Sequence, residues 1–177
     1  GRFSIIPVPG KKPAQRILLA GIGKKENLTK DTIRNISGKI AQKARELKLK
    51  EFSIIVPPNV VIDQISSVSQ IIEGSKMSLY KFDKFKAEKA EKSPDLTIVV
   101  SKSKKISQTI KTSEIIADGA IFTKSIANLP PNECTPSTLA GFAKIMSKKN
   151  KMKCNIISKI ELKKKGFGGI TAVGKGS

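Results

Sequence analysis

An α/β fold is what this 177-residue sequence predicts. Short apolar runs bounded by Pro or Gly alternate with longer stretches in which apolar residues recur every three or four positions. That alternation belongs to strands and helices building a largely parallel or mixed sheet between helices. Three prolines within seven residues, in "NLPPNECTP", then break the pattern and end a helix. The boundary they predict, near Asn128, divides the chain into 1–127 and 128–177.

The elements follow in order. "FSIIPV" and "RILLAGIG" predict strands over residues 3–8 and 16–21. In the next stretch Ile33, Ile36, Ile40, Ala44 and Leu47 share one face of a helix, with Thr29 or Asp31 as its cap. "EFSIIV" reads as a third strand stopped by Pro57-Pro58, because proline cannot donate to a ladder. Ile62, Ile65, Val68, Ile72 and Leu79 mark a second helix, residues 83–93 a charged loop, and "DLTIVVS" a fourth strand. A long helix follows, its stripe formed by Ile106, Ile110, Ile115, Ala117, Ile121 and Ile126.

Past the prolines, Thr135-Pro136 is a helix start: a capping hydroxyl, then proline at the first helical position. Leu139, Phe142, Ala143 and Met146 share a face of that helix. "MKCNIIS" reads as a strand. "SKIELKKKG" reads as a short helix, with Ser158 and Glu161 in capping-box spacing and Gly166 at its end.

Composition narrows the chemistry. There are 34 Lys and Arg against 14 Asp and Glu, a formal charge of +20. Only Arg2, Arg16, Arg34 and Arg45 are arginines. The chain has no His, so Ser/His and Cys/His catalysis is excluded along with the commonest metal ligand. Cys134 and Cys154 stand twenty apart without a CxxC pattern and read as reduced thiols of a cytoplasmic protein. No run approaches the roughly 18 apolar residues of a membrane span. The opening residues lack a signal peptide's apolar stretch, and there is no initiating Met.

Four segments, in register, resemble the leucyl aminopeptidase (cytosol aminopeptidase) family. "ANLPPNECTPSTLA" places Asn128, Pro130, Asn132, Thr135, Pro136, Leu139 and Ala140 on that family's Asn-x-Pro-x-Asn-x-x-Thr-Pro-x-x-Leu-Ala signature. "RILLAGIGKKENLT", "GSKMSLYKFDKFK" and "LKKKGFGGITAVGKGS" resemble three further family segments. One departure is Lys124-Ser125, where the family usually has Arg followed by Asp or Glu.

The resemblance implies a macro-domain-like mixed sheet flanked by helices, followed by the first elements of a second, catalytic α/β domain. It implies that the parent protein is a metallopeptidase, a hydrolase that removes N-terminal amino acids from peptides. Two divalent cations (zinc, manganese or magnesium) would serve it, in a homohexamer. Lys, Asp and Glu hold the metals in that family, and an Arg and a second Lys assist. No position of this sequence matches one of those ligands or assisting residues. We therefore expect no catalytic, metal or cofactor residue in this segment, no activity from it alone, and an architectural role in the oligomer and in access to the active site.

Two look-alikes fall within "GFGGITAVGKGS". Gly169-x-x-x-x-Gly174-Lys175 approaches a phosphate-binding loop, but Gly176 stands where Ser or Thr is needed to hold Mg²⁺. "VGKG" also matches the motif around the family's first lysine ligand. Its context, Gly166-Phe167-Gly168 before Ala172-Val173-Gly174, instead matches an earlier glycine-rich segment, so Lys175 is not read as a ligand. After Asp118 only Glu133 and Glu161 remain, too few to hold two cations.

The competing reading is a basic nucleic-acid-binding α/β module, since +20 steers any protein toward phosphate. Lysine in place of arginine, dispersal along the chain, and one Tyr without Trp argue against sequence-specific recognition. The runs "KKK" and "KFDKFKAEKAEK" read as solvated surface.

Overall fold

The structure, a computed structural model, describes residues 2–10, 12, 14–56, 62–88, 92–101 and 103–175. Pro57-Pro58, residues 89–91 of the expected loop, and Gly176 and Ser177 lie outside the described residues. By compactness the chain falls into two units, Gly1–Ala127 and Asn128–Ser177.

In the first unit, β1 (Phe3–Pro7) and β2 (Arg16–Ala20) pair antiparallel, with Phe3 opposite Ala20 and Ile6 opposite Ile17. After a short 3-10 turn at Lys25–Asn27, α1 runs over Lys30–Glu46. Thr29, not Asp31, is its cap: the Thr29 hydroxyl accepts from the Thr32 amide at 3.2 Å. β3 (Glu51–Ile55), α2 (Gln64–Leu79) and β4 (Asp95–Val99) form a strand–helix–strand unit in which the strands pair parallel. α3 spans Lys104–Ala127.

The expected mixed sheet takes the form of two separate two-stranded pieces among the described residues, one antiparallel and one parallel. Strand alternation decides what the parallel pair buries. Ile54 and Ile98, register partners, lie against a core of Leu28, Ile33, Val56, Val68, Ile71, Ile72 and Ile106. Their neighbours Ile55 and Val99, also partners, face outward, at 72% and 49% exposure. Among the described residues only one face of this pair is covered.

α2 packs against both α1 and α3, and nearly every residue from 67 to 75 is buried. The α1–α2 approach depends on two glycines. A methyl on Gly74 would collide with the Arg34 carbonyl, and one on Gly38 would come within 3.2 Å of the Gly74 carbonyl oxygen. Backbone meets backbone at Gly74, so no side chain fits there, and a methyl at Gly38 would fit only if its neighbours gave way.

Four expectations need correction. Ile65, placed on the α2 core face, stands 38% exposed in the first turn, ahead of the stretch the other helices enclose. Ile115, placed on the α3 stripe, is 72% exposed. The buried line of α3 runs Ile106, Ser113, Ala117, so a serine occupies the place read as apolar. "MKCNIIS" forms no strand. A strand needs a ladder partner, and the second unit offers none among its described residues. Finally, residues 168–173 form a helix that was not anticipated.

The second unit otherwise follows its local signals. α4 (Pro136–Lys149) starts on the Thr135 cap. α5 (Lys159–Lys164) starts on a complete capping box, with the Ser158 amide donating to Glu161 at 2.8 Å and the Glu161 amide to the Ser158 hydroxyl at 3.3 Å. Gly166, just past its end, has φ +75, a left-handed conformation that closes helices and suits glycine. α6 (Gly168–Val173) completes the unit.

Candidate functional site

The glycine tail reverses the order a phosphate loop requires. Such a loop needs glycines ahead of a helix, whose free amides then face the phosphate. Here Gly168 and Gly169 are already inside α6, and Gly174 caps its C-terminus by donating to Ile170 and Ala172 carbonyls. Lys175 follows in a turn, its amide bonded to the Ala172 carbonyl at 3.3 Å. That end of a helix presents carbonyls, which repel phosphate.

The proline-rich segment builds a turn. The amides of Glu133 and Cys134 both donate to the Pro130 carbonyl at 2.9 Å. The Thr135 hydroxyl then accepts from the Thr138 amide at 3.2 Å, and Pro136 opens α4 without a donor to satisfy. Cys134 is half-buried in this turn and Cys154 is exposed; both are free thiols. Neither has a histidine to activate it, since the chain has none.

Two carboxyls have lowered pKa values, and both are helix caps. The Ser66 amide, then its side chain, holds the Asp63 carboxyl below the ordinary carboxylate range. The Ser158 amide, then its hydroxyl, does the same for Glu161. These are exposed capping carboxylates and serve helix starts rather than catalysis. Among the described residues no three Asp, Glu, Cys or His side chains gather where a metal ion could sit. The donors present do not fit a pair of divalent cations.

The lysines of "KKK", Lys163–Lys165, are exposed at the end of α5. In the second lysine-rich run, Lys84 lies 5.1 Å from the centre of the Phe85 ring, which stacks edge-on with Phe82 at 5.8 Å.

Sequence reasoning missed a part-buried polar chain that joins three helices. Arg34 of α1 donates from Nε to Gln70 of α2 at 2.8 Å, and lies 3.7 Å from Glu73. Ser69 donates to Glu73 at 2.9 Å, and Ser113 of α3 donates to Ser69 at 2.9 Å. A buried carboxylate needs such partners, because uncompensated burial of charge is costly. Glycines 38 and 74 inside helical periodicity were the available signal of close packing.

Comparisons with known proteins bear on the whole chain. The family model described as cytosol aminopeptidase family, N-terminal domain, matches residues 1–89. The model described as the catalytic domain of the same family matches residues 121–177, so its match begins inside α3. A relative named probable cytosol aminopeptidase, from Cenarchaeum symbiosum (strain A), is 41% identical over 177 residues. The chain spans 36% of that relative's length.

Among solved structures, the bottromycin maturation enzyme BotP aligns with 98% of this chain and 37% of its own, at TM-score 0.79 and 18% identity. A complex of BotP with Mn aligns over 86% of this chain and 32% of its own, at 0.69 and 14%. A tomato leucine aminopeptidase mutant aligns over 84% of this chain and 30% of its own, at 0.73 and 22%. At these identities the structural likeness speaks for the fold. The comparisons lend the nucleic-acid reading no support.

Proposed function

We propose a function from one premise: the chain belongs to the cytosol aminopeptidase family. On that premise it is the N-terminal domain of a leucyl aminopeptidase together with the first part of the catalytic domain. The parent is a cytoplasmic metallopeptidase that removes N-terminal amino acids from peptides, and it works as a homo-oligomer. The observation that carries this reading is the order of the two family matches, N-terminal domain and then catalytic domain, on a chain that spans 36% of a relative's length.

The division of labour follows from the donors. Divalent cations in such a parent would polarise the scissile carbonyl and supply the nucleophile. This chain's own residues do not fit the cations: after Asp118 it carries only Glu133 and Glu161 as acids. The metal-holding residues therefore belong to the part of the catalytic domain beyond residue 177. Residues 1–177 contribute architecture, namely a packed first domain and the helix starts from which the catalytic domain is built. We draw the domain boundary between residues 127 and 128.

The test compares two lengths of chain. The purified 177-residue chain should hydrolyse no aminoacyl amide with manganese or zinc in excess, whereas the intact parent should do so in a metal-dependent way. Metal-dependent turnover by the 177-residue chain would overturn the division. An inactive, folded, metal-loaded parent would overturn the enzymatic reading.

A further inference from the structure

α2 ends differently from α1, α4, α5 and α6. Each of those closes with the amide just past its end bonded back to carbonyls of its own last turn. α2 instead runs out at Tyr80 in an extended conformation, φ −56 and ψ 132. The last carbonyls of any helix lack partners within it. Two of those in α2 accept from side chains on the neighbouring helices. Arg45 of α1 donates from Nη1 to the Leu79 carbonyl at 3.4 Å, and Lys124 of α3 donates from Nζ to the Met77 carbonyl at 3.3 Å.

Lys124 reaches further than Arg45. Its Nζ also lies 5.9 Å from the centre of the Tyr80 ring, within the range of a cation–π contact. One exposed ammonium thus touches both the last turn of α2 and the first residue that leaves it. Among the described residues Lys124 forms no ion pair. Asp118, the acid closest to it along α3, is engaged by Lys76 at 2.7 Å. Ser125 turns back on its own helix, its hydroxyl donating to the Ile121 carbonyl at 2.8 Å.

Burial shows where the chain can open. Nearly all of α2 from 67 to 75 is buried, whereas residues 76–80 are half-buried. The segment beyond holds itself together. Phe82 and Phe85 meet edge-on at 5.8 Å, Lys84 stands 5.1 Å from the Phe85 ring centre, and the Lys86 amide closes a turn on the Asp83 carbonyl at 3.1 Å. A segment with contacts of its own, next to a thinly packed helix end, can open locally without unfolding the core.

We propose that residues 80–86 form a strap and that Lys124 is the positioning residue that latches it. With the Lys124 charge in place the strap stays on the end of α2. Without that charge it lifts as a unit, while α1, α2 and α3 remain packed. Arg45 is the second fastening, on the α1 side. The device lies within the first unit, and its test requires no peptidase activity.

Tyr80 makes that test direct, because it is the chain's one tyrosine and there is no tryptophan. Tyrosine emission therefore reports this junction. Lys124→Met should raise acrylamide quenching of Tyr80 about twofold and speed amide exchange over residues 81–86 on the order of fivefold, with exchange at Ile71 and Ile72 unchanged. Lys124→Arg should hold both readouts near those of the unsubstituted chain, since a guanidinium also donates to a carbonyl and stands over a ring. Lys111→Met, at an exposed lysine of the same helix, controls for lost surface charge and should change neither. A Lys124→Met chain with unchanged quenching and exchange overturns the proposal. So does an equal rise in exchange at Ile71 and Ile72, or a general loss of helix, either of which would make Lys124 a stabiliser of the whole unit. A Lys124→Arg or Lys111→Met chain that matched Lys124→Met would likewise remove the latch.

Discussion

The two units of this chain are organised by different physics. In the first, eleven apolar side chains among the described residues are buried, from Leu28 to Ala117, and helices α1, α2 and α3 are bound to one another by packing and by the Arg34–Glu73–Ser69–Ser113 chain. In the second, Ser147 is the only buried residue among those described. Leu139, Ile145, Ile160, Ile170 and Val173 are half to four-fifths exposed. Yet among its described residues the second unit has three helices, two of them started by a side-chain cap. Caps, a capping box and a left-handed glycine can place helices, but they bury nothing. Burial is what makes a unit cooperative, since most helical stability in proteins comes from packing an apolar face.

The largest expected difference is in side-chain truncation. Ile72→Ala, at a site 5% exposed, should cost about 3 kcal/mol in urea unfolding of the first unit. Ile145→Ala, at 68% exposure, should change the same transition by less than about 0.5 kcal/mol. Equal losses would mean that the second unit has a core of its own.

Glycine replacements sharpen the contrast by sign. Gly74→Ala drives a methyl into the Arg34 carbonyl and should destabilise by about 2 kcal/mol. Gly141→Ala in α4 meets nothing within 4 Å and should increase helix content by circular dichroism, worth up to about 1 kcal/mol. A destabilised Gly141→Ala chain would reveal a neighbour over α4.

Cap removal should cost about 1 kcal/mol at either helix, with different reach. Thr29→Ala should shift the global unfolding midpoint, because α1 is packed on α2. Ser158→Ala should raise amide exchange over Lys159–Lys164 and leave the first unit's midpoint unchanged. Loss of global stability on Ser158→Ala would show that the units unfold together.

The smallest effect is with acid. The carboxyls of Asp63 and Glu161 are held below their ordinary range by the amides of Ser66 and Ser158. A lowered folded pKa adds stability that is fully present above the unfolded value and is lost as pH falls through the folded one. The loss therefore begins below about pH 4. The Ser158 and Ser66 amide resonances should both move in that window, and α5, without packing to retain it, should fray first. Persistence of α5 below α2 in pH would break the comparison.

Local chemistry was legible throughout. β1, β2, β3 and β4 were readable from bounded apolar runs, and α4 and α5 from Thr135-Pro136 and Ser158–Glu161. The segment at 152–158 misled because β-propensity describes a residue's fit to a neighbouring strand, and no neighbour is there. α6 was hidden by its glycines, which read as loop. Of the candidate site, the sequence puts Gly176 where a nucleotide loop needs Ser or Thr, and the structure added that Lys175 follows the C-terminal end of α6.

By itself, then, the sequence determined the four strands and three helices of the first unit, the starts of α4 and α5, and the absence of histidine chemistry, because caps, prolines, periodicity and missing histidine act over a few bonds. Tertiary structure alone decided that Ser113 and Glu73 go inside, that Ile115 stays outside, and that Gly74 touches the Arg34 backbone. Each of those depends on what a second helix brings to the surface of the first. Periodicity names a helix's apolar residues, but only the neighbour's shape and polar groups select which face it covers.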